Sequence, residues 1–326
     1  MSVAVPSEEF HNGHKMPVIG LGTFMASSEV VGAAVDSALE AGYRHIDTAY
    51  VYRNEAAIGQ ALNKWLDSGR LKREELFVVT KLPGTGNRAE SVEGYLKKSL
   101  EALQLSYVDL YLIHSAVGKI GKDDAPPSEQ TLDMNTDHIS LWKAMEAQVD
   151  AGRARSIGLS NFNARQIKRI VRAARIPPAN LQVELHVYFQ QRELVAFCKA
   201  LDVTVCAYAP LGSPGFQERH TIRDRDREAA LSPLTDPVVV EVARRHGRTP
   251  AQVLLRHVLQ RGVVAIPKST NPGRIRENFQ VFDFELDDED VEKLDALDRG
   301  SKARMFGGKM LKGNAIHPEF PFHDPY

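Results

Sequence analysis

The sequence predicts an α/β protein folded as a (β/α)8 TIM barrel. Eight short apolar runs, each long enough for a buried strand, recur along the 326 residues. A stretch with helical periodicity follows each run, an alternation typical of parallel sheets. The alternative, a doubly wound dinucleotide-binding sheet, needs three spaced glycines after its first strand, and only Gly20 and Gly22 are present here. The barrel is therefore favoured over the open sheet.

The predicted elements follow in order along the chain. A hairpin comes first, because Asn12-Gly13 is a type I′ turn signal, and we expect it to close one end of the barrel. The strands are predicted at residues 19–23, 44–48, 76–81, 108–114, 156–161, 181–186, 203–210 and 263–268. Helices are predicted at residues 28–41, 55–67, 91–103, 139–151, 164–174, 191–200 and 250–260, and another begins near Pro272.

One domain over residues 1–326 is sufficient to explain this pattern. No repeat of 20–50 residues appears beyond the alternation itself. Three connections are long, at residues 115–137, 211–235 and 300–326. Long connections in a compact domain are usually functional or disordered. The charged run at 218–228 is most simply a solvated surface.

The composition excludes several classes of protein. Hydrophobic residues make up 43% and charged residues 25%, as in soluble globular proteins rather than disordered or membrane-spanning ones. The 41 Lys and Arg against 42 Asp and Glu leave a net charge of −1, which offers no general attraction for nucleic acid. With two cysteines and no secretory signal pattern at the start, we expect a cytoplasmic protein without nucleic-acid or membrane partners.

Polar side chains close several of the predicted strands, at the end where barrel enzymes carry their active sites. Asp47, Lys81 and His114 end three consecutive strands, and Tyr52 follows Asp47 by five residues. Taken singly, each has an ordinary explanation as a turn residue, a surface lysine or a hydrogen-bonded histidine. Together they indicate an active site, because burying charges without partners is costly.

These four groups suit protonation of a carbonyl oxygen. A phenol has a pKa near 10, and an ammonium within ~4–6 Å lowers it. We expect Lys81 to lower the pKa of Tyr52, Asp47 to orient Lys81, and His114 to hydrogen-bond a substrate oxygen. Serine and zinc hydrolysis fit less well, because neither G-x-S-x-G nor H-E-x-x-H occurs. Cysteine hydrolysis also fits less well, because neither cysteine lies at a strand end next to a histidine. We therefore expect no metal site.

A second candidate site follows the last strand. Lys268 and Arg274 flank the start of the helix near Pro272, where free N–H groups and the helix dipole attract phosphate. Asn271-Pro272 also fits a plain helix cap with proline at the first position, and the two interpretations are compatible.

These residues, in this order, resemble the aldo-keto reductases over nearly the whole chain. The matching motifs are G-L-G-T at 20–23, G-Y-R-H-I-D-T-A at 42–49 with Tyr52, L-Y-L-I-H at 110–114, G-L-S-N-F at 158–162 and I-P-K-S at 266–269. The resemblance implies a (β/α)8 barrel with a C-terminal substrate loop and NADPH-dependent reduction of a small-molecule carbonyl. It also implies a catalytic tetrad of Asp47, Tyr52, Lys81 and His114, with Tyr52 as general acid.

The resemblance implies cofactor-binding residues as well. Ser160, Asn161 and Gln182 would contact the nicotinamide carboxamide, and Tyr208 would stack on the ring, although Gln182 and Tyr208 also fit as ordinary barrel residues. The remaining expected NADPH contacts are Thr23, Leu211, Ser213, Lys268, Ser269, Thr270, Asn271, Arg274, Glu277 and Asn278. We also expect residues 211–235 to close over the cofactor.

The predicted substrate pocket departs from the aldose-reductase-like pattern. Phe24, Pro83 and Ser115 stand where such members commonly have tryptophan, so a wider pocket that suits a bulky ketone is expected. The candidate pocket residues are Phe24, Val51, Ser115 and Phe306, and Gly307-Gly308 with residues 317–326 suggest a flexible loop. The chain is similar to invertebrate reductases, some of which reduce steroid ketones such as 3-dehydroecdysteroids.

Two other functions fit parts of the pattern. One is a nicotinamide-binding structural or regulatory barrel with little turnover, which would not need all four tetrad groups. The other is a phosphate-binding barrel isomerase, which would not respond to nicotinamide. We expect the protein to act as a monomeric enzyme.

Overall fold

The computed structural model describes residues 5–123, 129–215, 232–307, 312–324 and 326. The charged run at 218–228, Pro126-Pro127 and Gly308 lie outside the described residues, as does most of the loop expected to close over a cofactor. Among the described residues, no helix is long and apolar enough to cross a membrane. That the whole chain forms one domain stays a prediction.

Eight parallel strands form the central sheet, and each pairs with the next along the chain. Parallel bridges join Ile19 to Ala265 and Gly22 to Lys268, so the first strand meets the last and the sheet closes. The (β/α)8 barrel is thereby confirmed. Numbered in chain order among all strands, those of the barrel are β3 (Leu21–Gly22), β4 (His45–Asp47), β5 (Phe77–Leu82), β6 (Val108–Ile113), β9 (Ala154–Ser160), β10 (Asn180–Glu184), β11 (Thr204–Tyr208) and β12 (Val264–Ala265).

Two short hairpins lie outside the barrel sheet. The predicted N-terminal hairpin pairs β1 (Ser7–Glu9) with β2 (Lys15–Pro17), and Met16 packs into the apolar cluster inside the barrel. Its turn differs from the prediction: Gly13 has φ +81°, but Asn12 is not left-handed, whereas a type I′ turn needs both. A second hairpin, β7 (Lys119–Ile120) with β8 (Thr131–Leu132), lies in the long connection after β6.

The predicted helices are present, with ends within about two residues of the prediction. In the described residues the α-helices are α1 (Ser28–Ala41), α2 (Glu55–Asp67), α3 (Val92–Leu103), α4 (His138–Asp150), α5 (Ala164–Ala173), α6 (Arg192–Ala200), α7 (Pro237–His246), α8 (Pro250–Gln260), α9 (Pro272–Phe279) and α10 (Asp288–Asp295). Helices α7 and α10 were not predicted. Each has an aspartate cap, since Asp236 accepts from the Val238 N–H and Asp287 from the Asp290 N–H.

A buried carboxyl group lies between the barrel and its helices. Glu55, in the first turn of α2, accepts hydrogen bonds from Thr80 Oγ1 at 2.5 Å and Ser99 Oγ at 2.8 Å. Neither partner carries charge, so burial raises the pKa of Glu55, against the smaller opposing effects of these hydrogen bonds and the Lys81 charge. Ionising Glu55 in the folded protein therefore costs free energy.

We expect Glu55→Gln to stabilise the protein at pH 7.5 by about 1 kcal/mol and to have less effect at pH 4.5. The raised folded-state pKa means that wild-type stability falls as the pH rises through that pKa, and glutamine removes this loss. Urea denaturation at both pH values measures the change in the free energy of unfolding, with the exposed Glu101→Gln as control. An equal loss of stability at both pH values would contradict the expectation.

Candidate active site

A cavity of about 870 Å³ opens at the carboxyl ends of the barrel strands. It brings together nearly all the predicted site residues, although they come from every part of the chain. Lys81 and Asn271 do not line it. The predicted residues that do are Thr23, Phe24, Asp47, Val51, Tyr52, His114, Ser115, Ser160, Asn161, Gln182, Tyr208, Leu211, Ser213, Lys268, Ser269, Thr270, Arg274, Glu277, Asn278 and Phe306.

A buried ion pair lies at the floor of this cavity, and of its two members only Asp47 lines the cavity. Lys81 Nζ on β5 donates to Asp47 Oδ1 on β4 at 2.6 Å and to the Thr48 carbonyl at 2.8 Å. Lys81 is 1% exposed and Asp47 2%. Gln182, on β10 across the barrel, donates to Asp47 Oδ2 at 2.7 Å. Both carboxylate oxygens are therefore satisfied, as a buried charge requires.

Tyr52 and His114 lie over the ion pair. Tyr52 ends a short 3-10 turn, Tyr50–Tyr52, and the next residue, Arg53, has φ +59°. The Lys81 Nζ lies 5.1 Å from the Tyr52 ring centroid, and the His114 ring lies 5.7 Å from it, nearly perpendicular. Within the described residues, neither the Tyr52 hydroxyl nor the His114 imidazole has a hydrogen-bond partner. Both are available to a molecule in the cavity.

Burial sets the protonation of both groups. It raises the pKa of Tyr52 well above 10, and the Asp47 charge adds to the effect. The expectation that Lys81 lowers this pKa is therefore wrong, because Asp47 is paired with the ammonium and burial dominates. Burial also lowers the pKa of His114 to about 3, with a further contribution from the Lys81 charge. At neutral pH the cavity presents a protonated phenol beside a neutral imidazole.

Asn161 and Tyr208 form a connected polar group on the β9–β11 side. Tyr208 Oη donates to Asn161 Oδ1 at 2.9 Å, and Asn161 Nδ2 donates to the His114 carbonyl at 3.0 Å and to Ser160 Oγ at 3.1 Å. Asn161 has φ +59° and Ala209 has φ +53°, conformations that cost free energy in residues other than glycine. Both amide hydrogens of Asn161 are used, so only its oxygen retains capacity for a ligand.

The cationic end of the cavity lies where β12 leads into α9. Asn271 Oδ1 accepts from the Arg274 N–H at 3.0 Å, and Ser269 Oγ accepts from the Asn271 N–H at 3.1 Å. The plain cap considered from the sequence is thus present, and Asn271 does not line the cavity. Lys268 and Arg274 both line the cavity, so its cationic end remains suited to bind an anion.

Glu184 is a site-forming residue that was not predicted. It ends β10 and is buried, and its two oxygens accept the backbone N–H groups of Met305 at 2.7 Å and Phe306 at 2.8 Å. These bonds hold the Phe306 ring 5.5 Å from the Tyr208 ring and 6.3 Å from that of Phe24. The predicted sixth strand ran two residues too far, to His186, so the strand-end rule could not have selected Glu184.

The long connection after β6 and the C-terminal segment complete the cavity wall. Asp123 accepts from Thr85 Oγ1 at 2.5 Å, Tyr95 Oη at 2.6 Å and Tyr50 Oη at 3.2 Å. The cavity residues that sequence reasoning did not select include Met25, Gly84, Thr85, Val117, Lys119, Asp123, Gln130, Asn314, Phe320, Pro321 and Phe322.

Comparisons with known proteins agree with this architecture. The sequence model of the Aldo/keto reductase family matches residues 18–299. The mouse protein "Aldo-keto reductase family 1 member A1" is 46% identical over 324 residues, covering 97% of this chain and 98% of its own. The human protein of that name is 44% identical over the same shares. The structure of aldose reductase from Schistosoma japonicum has a TM-score of 0.87 and 45% identity, covering 98% of this chain and 99% of its own.

Proposed function

The chain belongs to the aldo/keto reductase family, and from this membership and the cavity geometry we propose that it reduces aldehydes or ketones to alcohols with NADPH. One observation carries the proposal. The protonated Tyr52 hydroxyl and the neutral His114 imidazole both face the cavity, directly above the buried Lys81–Asp47 pair. A structural barrel without turnover would not need this costly arrangement.

The donor set of the cavity fits NADPH. Lys268 and Arg274 supply two cations beside the capped start of α9, which suits the 2′-phosphate. Tyr208 and the Gln182 amide, in the same cavity, would lie against the nicotinamide ring and its carboxamide. When bound, NADPH supplies the hydride for the carbonyl carbon.

The protein side chains orient the carbonyl group and supply the proton. His114 donates a hydrogen bond to the carbonyl oxygen and orients it, since its neutral ring carries one N–H. Tyr52 transfers its hydroxyl proton to that oxygen as alkoxide character develops. The Lys81 ammonium, 5.1 Å from the Tyr52 ring centroid, stabilises the phenolate left behind. The charge of Lys81 thus acts after proton transfer rather than on the resting phenol.

The entrance of the cavity supports a bulky carbonyl substrate. Phe24 and Val51 line it with 40% and 45% of their surface exposed, and Phe306 lies against Phe24. Ser115 and Pro83 also line the cavity, at positions where aldose-reductase-like members commonly have tryptophan. We include bulky ketones of the steroid type, such as 3-dehydroecdysteroids, within the proposed substrate range.

The test follows the absorbance of reduced nicotinamide against a panel of aldehydes, sugars, quinones and steroid ketones. We expect carbonyl-dependent oxidation that is faster with NADPH than with NADH. Tight NADPH binding with no oxidation across the panel would contradict the proposal and favour a binding barrel.

Arg274→Met should raise the KM for NADPH roughly ten- to hundredfold while changing the KM for NADH little, because charged hydrogen bonds contribute about 1.5–3 kcal/mol. Arg276→Met is the matched control, since Arg276 lies exposed on the same helix and does not line the cavity. Steady-state kinetics with both cofactors measures the effect. Equal changes for NADPH and NADH would show that Arg274 does not bind the 2′-phosphate.

A further inference from the structure

The outer face of helix α5 carries an unbalanced positive charge. Residues 164–176 include five Lys and Arg residues and no Asp or Glu, although the whole chain has a net charge of −1. Four of these cations recur at spacings of three or four residues and therefore share one face of the helix, namely Arg165, Lys168, Arg169 and Arg172. Like charges at these spacings repel one another and weaken a helix, so an anion bound to this face would stabilise it.

Two of the four cations bind carboxylates of the C-terminal segment. Arg165 Nε lies 3.1 Å from Asp324 Oδ2, and Arg169 Nη2 lies 2.8 Å from a carboxylate oxygen of Glu319. Arg169 Nη2 also donates to the ring Nδ1 of the buried His138 at 2.7 Å. This face of α5 is therefore able to hold oxyanions, since the chain itself supplies two of them here.

The other two cations, Lys168 and Arg172, lack such partners. Both are exposed, and within the described part of the chain neither has a hydrogen bond or an ion pair. They line an open pocket, which we call the α5 pocket, whose apolar lining includes Ile139 of α4, Phe197 of α6 and the ring of Tyr326. Ile139 and Phe197 are only partly buried, so the pocket presents apolar surface beside an ammonium and a guanidinium group.

The size and chemistry of the α5 pocket favour a small amphiphilic anion as its occupant. Nine of the described residues line it, whereas a stable protein interface takes about 20–30 residues from each partner. An inorganic anion would leave Ile139 and Phe197 uncovered, and an uncharged alkyl chain would leave Lys168 and Arg172 without counter-ions. An alkyl chain that ends in a phosphate or carboxylate matches both parts of the lining.

We propose that the α5 pocket is a binding site for an amphiphilic anion, whose phosphate or carboxylate pairs with Lys168 and Arg172 while its alkyl chain covers Ile139 and Phe197. The site is separate from the cavity at the carboxyl ends of the barrel strands, because no described residue lines both. Its ligand is therefore neither the cofactor nor the carbonyl substrate, and binding there does not require that the protein reduce carbonyls.

Calorimetry with octyl phosphate, below its micelle-forming concentration, tests this site, and saturating NADP+ competes for the cationic end of the barrel cavity. We expect octyl phosphate to bind roughly tenfold or more tightly than inorganic phosphate or octanol. The double variant Lys168→Gln/Arg172→Gln should weaken that binding roughly tenfold. The matched control, Lys143→Gln/Lys199→Gln, removes two exposed cations of α4 and α6 outside the pocket and should change the affinity less than about twofold.

NMR of protein labelled at the isoleucine methyl groups locates the ligand. The Ile139 methyl resonance, assigned through Ile139→Val, should shift during the octyl phosphate titration and should shift less in Lys168→Gln/Arg172→Gln. An unmoved Ile139 resonance, or an affinity that the double variant leaves unchanged, would overturn the proposal. Equal affinity for octyl phosphate and inorganic phosphate would also overturn it, because the apolar lining would then contribute nothing.

Discussion

Tyr52→Phe should reduce carbonyl reduction roughly 10³-fold and leave NADPH binding unchanged, because it removes only the proton donor. The ring of the variant keeps its packing beside His114 and Phe24. Single-turnover kinetics measures the chemical step, and quenching of protein fluorescence measures the dissociation constant for NADPH.

Tyr50→Phe provides the matched control for this loss. Tyr50 lies in the same short turn, and its hydroxyl bonds Asp123 rather than facing a substrate. We expect this variant to retain most of the activity. If Tyr52→Phe kept more than a tenth of wild-type turnover, or lost NADPH affinity together with turnover, Tyr52 would not be the general acid.

Lys81→Met and Asp47→Asn should each lower the free energy of unfolding by about 3–5 kcal/mol, because each leaves a buried charge without its partner. The two groups are almost fully buried and joined at 2.6 Å, so solvent cannot replace the missing ion. Both variants should also lose turnover. The double variant should recover much of the stability, since no net charge is left buried, but it should not recover activity.

Urea denaturation and turnover assays on the same preparations test whether the ion pair contributes separately to stability and to catalysis. Lys97→Met is the control, because the Lys97–Glu93 pair lies on the exposed face of α3 and should contribute nothing measurable. Single variants with the wild-type denaturation midpoint would contradict the expected stability role. A double variant with restored turnover would contradict the catalytic role.

Much of this site was predictable because a parallel barrel places all strand ends at one mouth. Asp47, Lys81 and His114 each end a strand, so the strand positions alone were enough to predict that these side chains lie together. The family resemblance then supplied the cofactor residues, which no periodicity would reveal. The structure places these residues, except Asn271, in one cavity, whereas their roles remain proposals.

The remaining features depend on burial and on contacts between distant segments. The raised pKa of Tyr52 follows from its burial, whereas the sequence suggested only a nearby ammonium. The contact of Glu184 with Phe306 joins residues more than a hundred positions apart. Lys119 lies in a loop hairpin outside the strand–helix alternation, where no pattern indicated that its side chain faces the cavity.

The most direct measurement follows deuterium from the cofactor to the product. NADPH carrying deuterium in place of both C4 hydrogens is incubated with the protein and a carbonyl substrate, and the alcohol is examined by mass spectrometry and NMR. Hydride transfer within the cavity predicts one deuterium on the carbinol carbon of every product molecule. An alcohol without deuterium, or NADPH consumption without any alcohol, would contradict carbonyl reduction by this site.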